Sequence, residues 1–188
     1  MSAYRVVVIG CSAGGLKALE EILVRLLPSF PLPILMIQHM ASDPQNYLVT
    51  HLNRVSRIRV YEAMEKKTIQ AGEVLVSPPN YHLLLEKDAT LSLSVDKKVN
   101  HARPSIDVLF ESAVDAFSDA TVGVLLTGAN ADGALGLKRI RQQGGMTIVQ
   151  DPKTAEAPFM PLAAIELDAA MHVIPLVEIA GFLQTLVD

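Results

Sequence analysis

Several familiar anchors of function are absent from this chain. Its 188 residues contain a single cysteine, Cys11. No intramolecular disulfide can form, and the count is compatible with a reducing compartment. No C-x-x-C, H-E-x-x-H or comparable spacing of metal ligands occurs, so neither a metal nor a cofactor is expected. No charged n-region with a long apolar stretch and a cleavage site opens the sequence, and no secretory leader is read from it. No apolar run approaches the roughly 18–20 residues of a bilayer span. An excess of positive charge is missing too: 16 Lys and Arg stand against 20 Asp and Glu, a net charge of −4. That excludes the basic footprint of a nucleic-acid binder. The small basic groups Arg54, Arg57, Arg59, Lys66, Lys67 and Lys138, Arg139, Arg141 read as solvated faces. The expectation is a cytoplasmic protein with neither nucleic-acid binding nor membrane insertion.

Half of the residues are hydrophobic and 19% are charged, a globular composition. The length suits one domain over residues 1–188 with a substantial core. Short β-branched runs alternate with helical patterns. Strands are read at 6–9, 34–37, 58–61, 121–126, 146–149 and 171–174. Helices are read from Leu16 to Leu27, from about Asp43 to Val55 with Pro44 in the first turn, after Pro104, from Ala134 to Gln143, after Pro161 and at the C-terminus. Three extended segments within residues 72–95 read as a small antiparallel insertion. The whole predicts an α/β fold: a doubly wound, mostly parallel sheet with helices on both faces. Ligands of such folds bind beyond the carboxyl ends of the strands, and chemistry is sought there.

The first strand runs into Gly10-Cys11-Ser12-Ala13-Gly14, a G-x-S-x-G between a strand and a helix. Such a turn projects its serine past the sheet as a nucleophile elbow. A Gly-rich turn at a helix start also binds phosphate, so the pentapeptide leaves a nucleotide- or anion-binding α/β module open. Serine needs a base. His39 ends the second strand, and its unperturbed pKa of about 6.5 suits the task. The strand before Thr127 opens a glycine-flanked loop carrying Asp132, a carboxylate able to orient an imidazole. Each has a bland alternative: a strand-end histidine on a loop carbonyl, or an aspartate capping its own helix. Cys11 is a rival nucleophile. Asp43, Asp107 and Asp151 are rival carboxylates, and His51, His82, His101 and His172 are rival bases.

A resemblance then ties these motifs together. Ile9 to Gly15, Gln38-His39-Met40, Asn100 to Phe110, Val122 to Gly128 with Asp132-Gly133, Gly144 to Gln150, and Phe159-Met160-Pro161 with Ala164-Ile165 resemble, in family order, the catalytic domain of chemotaxis protein-glutamate methylesterases, the CheB family. The resemblance implies a Ser-His-Asp triad of Ser12, His39 and Asp132. It implies hydrolysis of γ-glutamyl methyl esters on the cytoplasmic helices of methylated chemoreceptors, with deamidation of receptor glutamines in some members. A separate receiver or methyltransferase protein is a further partner it suggests. Ala13, Gly128, Ala129 and Asn130 are candidates for the oxyanion site and its loop. Two departures stand out. Ala13 replaces the threonine that often follows the nucleophile, and Ala129-Asn130 replace the usual Met-Gly. Family members usually carry an N-terminal receiver domain, whereas only Met1-Ser2-Ala3 precede the first strand; the expectation is a catalytic domain alone. A catalytically inactive signalling domain of the same fold is the remaining alternative.

Overall fold

The computed structural model describes residues 3–40 and 47–187. Nine strands and six α-helices are assigned among them. In chain order these are β1 (Val6–Cys11), α1 (Gly15–Arg25), β2 (Ile34–Gln38), α2 (Tyr47–Val55), β3 (Arg59–Glu62), β4 (Glu73–Val76), β5 (His82–Leu85), β6 (Leu91–Ser94), α3 (Ile106–Phe117), β7 (Thr121–Leu125), α4 (Ala134–Gln142), β8 (Met146–Gln150), α5 (Phe159–Glu166), β9 (His172–Ile174) and α6 (Leu176–Thr185). The start expected for α2 at Asp43, with Pro44, lies outside the described residues.

Seven strands form one sheet in the order β3-β4-β2-β1-β7-β8-β9. Every neighbouring pair runs parallel. β1 lies at the centre and is buried along its whole length, as an apolar strand of a parallel sheet covered on both faces must be. Side chains alternate across it. Val7, Ile9 and Cys11 enter one core with α1, α2 and α6. Val6 and Val8 enter the other, with α3, α4 and the β5–β6 pair. Helix α1 is sealed by one stripe: Ala18, Leu19, Ile22 and Leu23 are buried at helical spacing. α3 does the same with Ile106, Leu109, Phe110, Ala113 and Phe117. Each such large side chain contributes roughly 1.5–3 kcal/mol on burial.

The antiparallel insertion is smaller than its sequence pattern implied. β5 and β6 do pair antiparallel. Glu73–Val76, however, is β4 of the main sheet, parallel to both β2 and β3. A four-residue apolar run fits either kind of ladder, and periodicity alone does not choose. β4 was drawn into the sheet because Val74, Leu75 and Val76 are buried between its two cores.

From β1 the chain winds outward through β2, then returns across the sheet to β7 on the other side of β1. The β1/β7 boundary is therefore the topological switch point. Its carboxyl end is the crevice where such folds hold ligands.

Candidate active site

Three strand ends meet at that crevice. β1 ends at Cys11 and delivers Ser12. β2 ends at Gln38 and delivers His39. β7 ends at Leu125 and opens the loop to Asp132. The last ladder pair between β1 and β2 is Cys11 with Gln38. Ser12 and His39 are thus the next step of both strands, side by side.

The elbow is held tightly. Ser12 N–H donates to Thr127 O at 2.9 Å, and Gly15 N–H donates back to Ser12 O at 2.8 Å. Thr127 Oγ1 donates to Ala13 O at 2.8 Å. Gly14 closes the turn with a φ of 76° as the N-cap of α1, a conformation glycine adopts without cost. Ser12 is half-buried. It lines two adjoining recesses together with His39 and Met40, of about 440 and 550 Å³. The first is bounded by the elbow, Tyr47 and Glu156. The second is bounded by Lys98, His101, Arg103 and Asn130, with no carboxylate among the described residues that line it.

His39 places Nε2 3.0 Å from Asp132 Oδ2. The separation is that of an ion pair, but the ring is turned so that the N–H does not aim along it. The attraction is that of the carboxylate charge for the ring N–H dipole, not a linear hydrogen bond. A carboxylate only accepts, which assigns the proton to Nε2 and leaves Nδ1 with its lone pair. Nδ1 lies 3.5 Å from Asn130 Nδ2, the outer limit of a hydrogen bond. The Ser12 hydroxyl makes no hydrogen bond among the described residues. Serine–histidine contacts often tighten only with substrate in place.

Asp132 is the most constrained group of the site. It does not cap its own helix, since the N-cap of α4 is Gly133. It caps α3 instead. Oδ2 accepts the Ile106 N–H at 2.7 Å, and Oδ1 accepts the Ser105 hydroxyl at 2.8 Å and the Asp107 N–H at 3.3 Å. Asn100 Nδ2 donates to the same Oδ1 at 2.8 Å and to Asp107 Oδ2 at 2.7 Å. Burial pushes the Asp132 carboxyl up. The nearby His39 ring and the bonds from Asn100, Ile106 and Ser105 outweigh it and hold the group below the usual carboxylate range. Two glycines make this approach possible. A Cβ on Gly10 would sit 2.2 Å from Ile106 Cγ2, and one on Gly133 2.6 Å from the same atom.

The described rival residues other than His101 fall elsewhere. Cys11 is buried, its thiol pushed up by burial and held against Ile37 O and Gln38 Oε1. It is not a nucleophile on the cleft. His82 is buried between Lys97 O and the Ser105 N–H. His51 faces Glu20, and His172 packs on Phe182. His101 is exposed on the second recess. Asp107 accepts the Gly136 N–H at 2.7 Å, and Asp151 caps a short 3-10 turn through the Lys153 N–H. Asp43 lies outside the described residues. Of the oxyanion candidates, the Gly128 N–H is already committed to Ala157 O at 2.9 Å. The amides of Ala13 and Ala129, both exposed, have no hydrogen-bond partner among the described residues. Gln38, Asn100 and Ser105 lie in the motifs matched in the sequence but were given no role there. Among the described residues no group of three or more His, Cys, Asp or Glu could hold a metal ion. None of their helices is long and apolar enough to cross a membrane.

A doubly wound α/β domain that gathers serine, histidine and a buried aspartate at its switch point is of the serine-hydrolase class. Comparison with known proteins narrows the class. The profile of the CheB methylesterase family matches residues 7–183, and the chain belongs to that family. A curated relative from Leptospira interrogans is 48% identical over 177 residues, spanning 94% of this chain and 92% of its own. The protein-glutamate methylesterase/protein-glutamine glutaminase of Symbiobacterium thermophilum is 40% identical over 176 residues. The match spans 94% of this chain but only 49% of that relative. Among solved structures, the Thermotoga maritima CheB methylesterase catalytic domain superposes with a TM-score of 0.94 at 32% identity. That likeness covers 98% of this chain and 99% of the other.

Proposed function

We propose that this chain is a protein-glutamate methylesterase that hydrolyses glutamate γ-methyl esters, and glutamine γ-amides, on methylated chemoreceptor helices. The observation that carries the reading is the meeting of Ser12, His39 and Asp132 at the switch point of a CheB-family sheet. In this reading Ser12 Oγ attacks the ester carbonyl while its proton passes to His39 Nδ1. Asp132, facing Nε2, stabilises the imidazolium that results. The tetrahedral adduct collapses, and the imidazolium protonates the departing methoxide, which leaves as methanol. Water then attacks the acyl-enzyme with His39 again taking the proton. Ser12 is released, and the product is a glutamate carboxylate. With glutamine the leaving group is ammonia.

The amides of Ala13 and Ala129 are the proposed oxyanion donors. They flank the nucleophile from the elbow and from the Asp132 loop, and neither is spent on the fold. Such a donor is commonly worth about 3–4 kcal/mol in the transition state.

The test is a serine-directed phosphonate, with the adduct located by mass spectrometry, alongside demethylation of methylated receptor. Label on Ser12, lost in Ser12→Ala and much slowed in His39→Ala, is the expected result. Label on Cys11, or full demethylation by Ser12→Ala, overturns the assignment.

A further inference from the structure

Gln38 sits between nucleophile and base yet belongs to neither role. Its Nε2 donates to Ser12 O at 2.8 Å and to His39 O at 2.8 Å. Its Oε1 accepts from the Cys11 thiol at 3.0 Å. Both amide hydrogens and the amide oxygen are thereby used, and the thiol fixes which end of the amide faces which way. The ladder between β1 and β2 ends at the Cys11–Gln38 pair. The last backbone bond there, His39 N–H to Cys11 O, measures 3.0 Å. Past that point the ladder no longer holds Ser12 and His39 in register, and the Gln38 amide takes over. Room for it is made by Gly15, where a Cβ would lie 1.8 Å from Gln38 Oε1.

From this geometry we propose that Gln38 is the positioning residue that sets the distance between Ser12 and His39. It clamps the carbonyls of both. The inference rests on the functional reading above, because it presumes that Ser12 and His39 react together. Gln38 touches no reacting atom and acts through the two residues it joins. A displacement of about 1 Å between nucleophile and base costs about 100-fold in rate, so loosening this clamp acts on the chemical step rather than on substrate affinity.

The experiment compares Gln38→Met and Gln38→Glu with the parent chain. Neither replacement can donate to the two carbonyls. Phosphonylation of Ser12 and kcat for ester hydrolysis are each expected to fall about 10- to 100-fold, with KM within about twofold. A second pair guards against loss of folding. Cys11→Ala removes the bond that orients the amide and is expected to slow phosphonylation, whereas Cys11→Ser, which keeps a donor, restores it. Folded Gln38 variants that label at the parental rate overturn the proposal, as does equal labelling of the two Cys11 variants. A parent chain that does not label on Ser12 overturns the functional reading instead, and the positioning role with it.

Discussion

Asp132 holds His39 and the start of α3 with the same oxygen. Its Oδ2 lies 3.0 Å from His39 Nε2 and 2.7 Å from the Ile106 amide nitrogen. The group that orients the imidazole is thus also a helix cap, and neither role can be altered alone.

Asp132→Asn is the direct probe of that double use. An amide keeps the shape but carries no charge for the imidazolium. It also brings an NH2 toward donors. The expected outcome is a fall in kcat of about 1,000- to 10,000-fold, the scale known for the orienting aspartate of a serine triad. A stability loss of about 1–3 kcal/mol should accompany it, because buried N–H groups lose their acceptor. Steady-state kinetics and urea unfolding measure the two effects on one variant.

Asp107 supplies a pH dependence of opposite sign to that of Asp132. Burial pushes its carboxyl up to about 6; the Gly136 amide and Asn100 oppose the shift, and the neighbouring Asp132 charge adds to it. An unfolded aspartate titrates near about 3.9. Folded protein therefore binds the Asp107 proton more tightly, and stability rises as pH falls from about 6 to about 4. Asp132 is held low in the fold, so its contribution is present above about 4 and is lost as pH falls further. Urea midpoints from pH 7.5 to 3 should climb and then drop. In Asp107→Asn the climb should vanish while the acid loss remains; an unchanged climb would assign it to another group.

Gly10→Ala tests how closely α3 must approach. The added methyl would overlap the Ile106 side chain, which is wholly buried and cannot swing away. Overpacking of this kind costs about 1–3 kcal/mol. Because Ile106 N–H is bound to Asp132, the displacement is passed to the site. Thermal unfolding and kcat should fall together. The same methyl at exposed Gly181, which meets nothing within 4 Å, should leave activity at the parental value.

The sequence showed the architecture through its periods. Apolar runs such as Val6–Ile9 and Ile34–Ile37 have no polar alternation, which marks strands buried on both faces. The serine and histidine were legible because each follows such a run directly. Asp132 was reached through the glycine-flanked loop, but its bland alternative named the wrong helix: α4 follows it in sequence, whereas α3 receives it in space. The Asn100 amide could not be foreseen either. Its backbone takes a φ of 50°, and its partners lie 7 and 32 positions away. Gln38 and Gly15 formed a pair only once the elbow had folded. β4 was misplaced because four apolar residues do not record which neighbours they will have.

Among the described residues the two recesses adjoin over Ser12 instead of closing around it. A blind pocket measures a whole ligand, whereas a crossing of two open troughs measures only the arm that dips into it. Discrimination at such a place falls on reach. On the proposed function, a side chain long enough to bring its carbonyl to the serine would be accepted, whatever the size of the body that carries it. Shortening that arm by one methylene, as aspartate does relative to glutamate, withdraws the carbonyl by roughly a bond length without changing anything else the surface can feel.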